Sequence, residues 1–197
     1  MSTSTNQRIV VGISGASGAI LGIELLKAIR EFPGWESHLV ITDGARRTIE
    51  HETPFHLEQV AALASQCHPL DDVGACIASG TFKTQGMIII PCSMKTLAGV
   101  ASGYSDNLLL RAADVTLKER RKLVLVTRES PLSPLHLRNM QAASDCGAIL
   151  LPPMLTFYNR PESIADMIRH MVGKTLDIFN LELPQFKRWG RDQENVV

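Results

Sequence analysis

From Arg8 onward, short apolar runs alternate with longer segments of helical periodicity. The runs are nearly continuous in Val, Ile and Leu, which is typical of parallel strands covered on both faces. Each ends at small or polar residues that mark a turn. The predicted strands are Ile9–Ile13, His38–Thr42, Met87–Ile90, Leu123–Thr127 and Ala148–Leu151.

The segments between these runs carry apolar residues at helical spacing. Asp43 precedes one of them and is the predicted N-cap. The repeated order of strand and helix predicts a doubly wound parallel sheet, with ligands at the carboxyl ends of the strands. The predicted helices are Ala19–Glu31, Gly44–His51, Leu57–Ser65, Thr96–Ala101, Asp106–Arg121, Leu135–Cys146 and Glu162–Asn180.

Three stretches depart from this alternation. Residues 1–7 are polar and predicted to be disordered. Cys67–Gln85 is the least regular part and is expected to form a mobile loop near the ligand. Residues 184–197 form a tail with Trp189 but little core. The whole chain, 1–197, has the length of a single domain.

Composition narrows the class of protein further. Twenty Lys and Arg balance twenty Asp and Glu, so no overall basic field favours nucleic acid or an acidic membrane. Hydrophobic residues make up 45%, which favours a homo-oligomer. The four cysteines lack metal-ligand spacing and indicate reduced thiols in the cytoplasm, with no metal. No apolar run is long enough for a membrane span.

The first predicted strand runs into the glycine-rich segment Gly12–Gly18 and then a helix. Small residues at such a turn expose backbone N–H groups at a helix N-terminus, where a phosphate binds well. The segment is neither a Walker loop nor a nucleophile elbow. Two alternatives remain: the crossing merely requires small residues, or Asp43 after the second strand belongs to a dinucleotide site.

A second turn, Pro91-Cys92-Ser93, follows the third predicted strand. Ser93 and Thr96 occupy capping positions, and their hydroxyls serve either a ligand or the helix alone. Cys92 could be a nucleophile, but no His is placed in sequence to activate it. A buried thiol is the favoured interpretation.

Charged residues follow in the next two elements. Arg111, Asp114 and Lys118 share one helix face, where Asp114 can pair with both bases. Arg128 and Glu129 end the following strand at the predicted ligand edge, which favours an anion contact and a proton-transfer group over an inert ion pair.

Two further residues could bind a phosphate of their own. Tyr158 follows the last predicted strand, and Lys174 lies 16 positions later in the final helix. A hydroxyl and an ammonium suit a phosphate. Packing for Tyr158 and solvation for Lys174 explain the spacing equally well.

Taken together, these motifs resemble those of the UbiX/Pad-type flavin prenyltransferases, over nearly the whole stretch from Arg8 to Gly190. Their order and spacing carry the resemblance more than any one of them. The shared segments are Gly15–Gly18, Pro91–Ser93, Arg111–Val115, Leu117–Arg121, Arg128–Glu129, Phe157–Tyr158 and Arg188–Gly190.

The resemblance implies a three-layer α/β/α sandwich, Rossmann-like or flavodoxin-like, in a homododecamer with Trp189 near the site. It implies that FMN is bound as a substrate and converted to prenylated FMN, the cofactor of a UbiD-type aromatic acid decarboxylase. The implied FMN-binding residues are Gly15, Ala16, Ser17, Thr42, Ser93, Met94, Lys95, Thr96 and Arg128.

The resemblance also implies that the prenyl donor is dimethylallyl phosphate. Its carbons would be joined to N5 and C6 of reduced FMN without a metal. The implied phosphate ligands are Lys118, Arg128, Tyr158 and Lys174, with Arg111 nearby. The implied catalytic residues are Glu129, Ser17, Lys118 and Glu52.

The family commonly has arginine where this chain has Lys174, so a bidentate fork becomes a point charge. Two rival hypotheses stay open. One is a flavin-dependent cysteine decarboxylase, whose histidine and substrate clamp we do not find. The other is a non-catalytic FMN-binding subunit of a decarboxylase.

Overall fold

The computed structural model describes residues 6–184 and 186–190. The strands are β1 (Gln7–Ile13), β2 (Trp35–Ile41), β3 (Gln66–His68), β4 (Gly86–Cys92), β5 (Lys122–Thr127) and β6 (Ile149–Leu150). The α-helices are α1 (Ala19–Arg30), α2 (Asp43–Glu52), α3 (Leu57–Ala61), α4 (Met94–Ser102), α5 (Leu108–Lys118), α6 (Pro134–Asp145) and α7 (Ile164–Asp177).

All six strands are parallel, in the order β3-β2-β1-β4-β5-β6. From β1 the chain first adds strands on one side, and then returns to pair β4 with the other side of β1. The order therefore switches between β1 and β4, where an open sheet leaves a crevice at the strand ends.

Alternate side chains of the buried strands face opposite layers, as the two-residue period requires. Ile9, Val11 and Ile13 pack with residues of α1 and α7. Val10 and Met87 pack instead with residues of α4, α5 and α6. These two clusters make a three-layer α/β/α sandwich with a flavodoxin-like fold, which confirms the predicted fold class.

The five predicted strands are confirmed, but two of the three residues of β3, Cys67 and His68, lie inside the region predicted as a loop. This strand pairs with β2 at the edge of the sheet, and a short 3₁₀ turn at Cys76–Ala78 follows it. Gln66 and Cys67 are exposed, so no apolar run marks the strand in the sequence. Pairing with an existing neighbour decides its conformation.

Several boundaries also differ from the predictions. Thr42, not Asp43, caps α2, with its hydroxyl accepting from the N–H of Ala45 at 3.2 Å. Asn107 caps α5 in the same way, so this helix does not begin at Asp106. α3 ends at Ala61, four residues early.

At the chain termini the predictions are also partly wrong. Gln7 begins β1 instead of being disordered, while residues 1–5 lie outside the described part. α7 ends at Asp177 instead of Asn180, which has a left-handed φ of 59° that a helix cannot continue through. Of the tail, residues 191–197 are likewise outside the described part. Among the helices described, none is long and apolar enough to cross a membrane.

Candidate functional site

A cavity of about 620 Å³ opens at the carboxyl ends of the strands, beside the switch between β1 and β4. Its polar wall comes from the turn after β1 and from the first residues of α2 and α4. Its apolar wall includes Leu70, Leu109 and Leu110. Of the residues predicted for the site, those lining the cavity are Gly15, Thr42, Ser93, Met94, Lys95, Thr96 and Glu129.

The turn after β1 lies directly against the start of α2. A Cβ added to Gly15 would be 2.8 Å from Cα of Gly44, closer than atoms can approach, so any larger residue would push the two turns apart. Gly15 therefore has a steric role in addition to exposing its backbone. This contact brings the N-terminus of α2 to the rim of the cavity.

A buried serine joins the turns after β1 and β4. The hydroxyl of Ser14 donates to the carbonyl oxygen of Pro91 at 2.9 Å and accepts from the N–H of Ser93 at 2.8 Å. Ser14 is completely buried. Its role is not visible in the sequence, because a serine in a glycine-rich turn gives no sign that its partners lie 77 and 79 positions away.

Glu52, at the end of α2, caps the start of α1. Its carboxylate accepts from the N–H of Gly18 at 2.8 Å and from that of Ala19 at 3.4 Å. Burial raises the pKa of Glu52, but these bonds, the Ser17 hydroxyl and the charge of Arg128 outweigh it, so the net pKa is lowered. The structure thus brings Ser17, Glu52 and Arg128 to one end of the first turn.

In the second turn, the two hydroxyls bind each other. Ser93 caps α4 by accepting from the N–H of Thr96 at 3.3 Å, and its own hydroxyl donates to that of Thr96 at 3.1 Å. Cys92 is completely buried, and burial raises the pKa of its thiol. The interpretation of Cys92 as a buried thiol is therefore confirmed.

The strand end after β5 carries Arg128 and Glu129. The N–H of Arg128 donates to the carbonyl oxygen of Cys92 at 3.0 Å, which ties this segment to the second turn. Glu129 is exposed, lines the cavity and accepts from the N–H of Ser130 at 3.0 Å. A carboxylate held in this way can transfer a proton to or from a molecule in the cavity.

Lys118 lies near the amino ends of the strands, at the opposite end of the sheet from the cavity. α5 starts at the cavity with Asn107 as its cap and ends at Lys118, roughly 15 Å further along its axis. There Lys118 pairs with Glu119, next to Gly80. Within one chain, Lys118 is therefore far from Glu129.

Arg111 lies one turn into α5 and pairs with Asp114 at 2.7 Å. The prediction that Asp114 pairs with both Arg111 and Lys118 is confirmed for Arg111 and wrong for Lys118. Lys118 turns to the neighbouring Glu119 instead.

Tyr158, Lys174 and Trp189 form a separate group around α7. Tyr158 contacts Trp189 edge to face, with 5.5 Å between ring centroids, and both are exposed. α7 packs against α1, on the face of the sheet away from the cavity's apolar wall. In a single chain, then, the predicted site residues do not form one site. Besides those that line the cavity, Ser17, Glu52 and Arg128 meet at the end of the first turn, Lys118 lies at the far end of α5, and a further group surrounds α7.

Other residues of the cavity gave no signal in the sequence. Leu70 follows the edge strand β3, and Tyr104 follows α4 with 62% of its surface exposed. Neither belongs to a recognisable motif. They become cavity residues because the loops after different strands meet at one edge of the sheet.

The cavity suits a phosphorylated ligand with a planar ring system, such as FMN. Its volume falls in the usual range for small-molecule sites. The N-termini of α2 and α4 supply N–H groups and partial positive charge for a phosphate. The leucine side chains offer a surface on which a planar ring system can pack.

One further cluster of titratable side chains lies outside the cavity, on β2 and β3. Nδ1 of His38 and Nε2 of His68 are 3.0 Å apart in rings inclined by 16°, and Cys76 is close by. The 5.3 Å between centroids is about the sum of this distance and the two ring radii, so the rings lie edge to edge. The two nitrogens point at each other, as in a hydrogen bond.

Comparison with known proteins agrees with this geometry. The family model described as Flavoprotein matches residues 1–174. The chain is 53% identical over 190 residues to the flavin prenyltransferase UbiX of Thauera aromatica, covering 96% of this chain and 97% of that protein.

Two solved structures are also similar over most of the chain. A dodecameric FMN-dependent UbiX-like decarboxylase from Escherichia coli O157:H7 has a TM-score of 0.91 at 55% identity, covering 93% of this chain and 99% of that one. AnUbiX (PadA1), solved with FMN and dimethylallyl pyrophosphate, has a TM-score of 0.91 at 49% identity, covering 93% and 97%. The cysteine decarboxylase SpaF has a TM-score of 0.60 at 18% identity, which shows a shared fold alone.

Proposed function

Because this chain belongs to the Flavoprotein family and, within it, to the UbiX flavin prenyltransferases, we propose that it transfers a dimethylallyl group to reduced FMN. The donor is dimethylallyl phosphate, and the product, prenylated FMN, is the cofactor of a UbiD-type aromatic acid decarboxylase. FMN is thus both ligand and substrate.

The observation that carries this proposal is the combination found in one cavity. Helix N-termini that suit a phosphate, leucine side chains that suit a ring system, and the carboxylate of Glu129 all line the same space. The neighbouring Cys92 is buried, so its thiol does not reach this space. Such a site suits a reaction in which the flavin itself supplies the electrons.

The residues of the cavity have distinct tasks in this reaction. The glycine turn and the N-termini of α2 and α4 hold the FMN phosphate. Glu129 moves the protons that are lost and gained as bonds to N5 and C6 form, while the C–O bond of the donor breaks and phosphate leaves. Apolar walls keep water from the allylic carbon. Arg128 and Glu52 hold the turns in place around the ligand.

Several copies of the chain are needed to complete the donor site. Lys118 and the group on α7 are separated from Glu129 within one chain, yet cations are required to stabilise a leaving phosphate. The dodecameric relative supports an assembly in which neighbouring copies bring them together. We place Lys118, Tyr158 and Lys174 of adjacent copies, with Arg128, around the donor phosphate.

The activity is tested with purified protein, anaerobically reduced FMN and either dimethylallyl phosphate or dimethylallyl pyrophosphate. We expect the released flavin to gain the mass of one prenyl group with the monophosphate. A gain in flavin mass with the pyrophosphate alone would mean that the donor is the pyrophosphate and not the monophosphate. An unchanged flavin mass with both donors would refute the proposed function.

The non-catalytic alternative is tested with Glu129→Gln, which keeps the size of the side chain but removes its basic oxygen. We expect FMN to bind with unchanged affinity and prenyl transfer to fall by about 100-fold or more. Glu50→Gln, an exposed position on α2, is the matched control. Full activity in Glu129→Gln would favour a mere carrier of FMN.

The shared site is tested by mixing subunits. Lys118→Ala and Glu129→Gln should each be inactive as pure assemblies. Assemblies co-expressed from both variants should recover part of the activity, because some sites then receive an intact Lys118 and an intact Glu129 from different copies. No recovery would mean that both residues must come from the same chain.

A further inference from the structure

Tyr158 has a partner that the sequence does not reveal. Its hydroxyl oxygen lies 3.3 Å from Nε2 of His170, in the middle of α7. The two rings meet edge to face, with 5.5 Å between centroids and 83° between planes. Tyr158 is 45% exposed, so its hydroxyl can also reach a ligand.

The imidazole of His170 is fixed by its surroundings. Only 6% of the residue is exposed, and the ring of Phe186 packs on it at 5.1 Å. A buried ring packed against another ring in this way has little freedom to rotate. His170 can therefore fix the direction of a hydrogen bond to a neighbour that is itself half exposed.

His170 also carries a single proton at neutral pH. Burial is the main cause that lowers its pKa, and the charge of Lys174 lowers it further. Within residues 6–184 and 186–190, Nδ1 of His170 is buried without a hydrogen-bond partner. A buried lone pair without a partner costs less than a buried N–H without one, so the proton belongs on Nε2, facing Tyr158.

We propose that His170 is a positioning residue of the donor site: its Nε2–H donates to the hydroxyl oxygen of Tyr158 and turns the O–H of Tyr158 toward the donor phosphate. This inference rests on the proposed function. An oxygen that accepts one hydrogen bond also becomes a better donor through its own proton. Lys174 follows His170 by four residues, on the same side of α7, where its ammonium faces the same phosphate.

The test is a double-mutant cycle in the full assembly. His170→Phe keeps a ring against Phe186 but removes the N–H, and Tyr158→Phe removes the hydroxyl. We expect each to raise the KM for dimethylallyl phosphate by about 10-fold while the Kd for FMN stays unchanged. The double variant should be no worse than either single variant, because both remove the same interaction.

Two further measurements keep the test decisive. His170→Gln, whose amide can donate from nearly the position of Nε2, should restore the KM to within about threefold of the wild type. Thermal unfolding and the size of the assembly show whether each variant folds. If His170→Phe is misfolded, His170→Leu takes its place in the cycle, and His170→Gln is again the variant that keeps a donor.

Independent effects of the two substitutions would overturn the inference, as would a KM that is unchanged in His170→Phe. An equal loss of FMN affinity would also overturn it. These outcomes all require that the wild type makes prenylated flavin. If it does not, the proposed function fails first, and the cycle is not reached.

Discussion

The serine that joins the two ligand-bearing turns gives the sharpest prediction. Ser14→Ala removes the hydrogen bond to Pro91 and leaves the N–H of Ser93 without its acceptor. The lost bond is worth about 1 kcal/mol, and an N–H left unpaired in a partly buried position costs about 1 kcal/mol more. The carbonyl oxygen of Pro91 still accepts from the N–H of Ser14 at 3.2 Å, so it is not left unpaired and adds no further loss of stability.

The expected loss is therefore about 2 kcal/mol, equivalent to a melting temperature lower by roughly 4–8 °C for a chain of this size. Because the turns also shape the cavity, we expect weaker FMN binding as well. Differential scanning calorimetry at equal protein concentration measures the first effect, and flavin fluorescence titration the second. The concentration must be equal because assembly contributes to stability.

Ser144→Ala is the matched control, since Ser144 is an exposed residue of α6. We expect it to change the melting temperature by no more than about 2 °C. If Ser14→Ala melts within that same margin, the buried hydroxyl does not stabilise the two turns, and the reasoning from its two hydrogen bonds is refuted.

Three further predictions follow from the same structure. Glu52→Gln should lower the free energy of unfolding by about 0.5–1 kcal/mol at pH 7. Because the pKa of Glu52 is lowered in the folded protein, this difference from the wild type should shrink as pH falls below about 4.5. Unfolding measured over a range of pH tests this, and a difference that does not depend on pH would contradict it. Burial and His68 lower the pKa of His38 from 6.5 to about 4, so the folded protein should lose stability as pH falls between those values. Replacing both histidines by leucine should flatten that part of the curve of unfolding free energy against pH. An unchanged slope would refute the assignment. Lys174→Arg should lower the KM for dimethylallyl phosphate several-fold by restoring a bidentate fork, and steady-state kinetics would reject this if the KM rose.

The sequence by itself determined the layers and the direction of the sheet. Continuous runs such as Ile9–Ile13 and Leu123–Thr127 can be satisfied only by burial on both faces, and helical segments between them force parallel pairing. For the same reason the ligand edge was predictable, because Gly15, Ser93 and Glu129 each lie within two residues of a strand end. The family resemblance added the identity of the ligand, which the residues alone left open.

Other features depend on contacts between distant parts of the chain, and these only the tertiary structure decided. β3 is a strand because β2 offers it a free edge, and Ser14 matters because the chain returns to it 77 residues later. Lys118 and Tyr158 carry suitable chemistry, but the length of α5 separates Lys118 from the cavity of its own chain, and Tyr158 lies with α7 on the other face of the sheet. Local sequence specifies which groups are present, whereas distance and burial, which decide what those groups do together, depend on the packed fold.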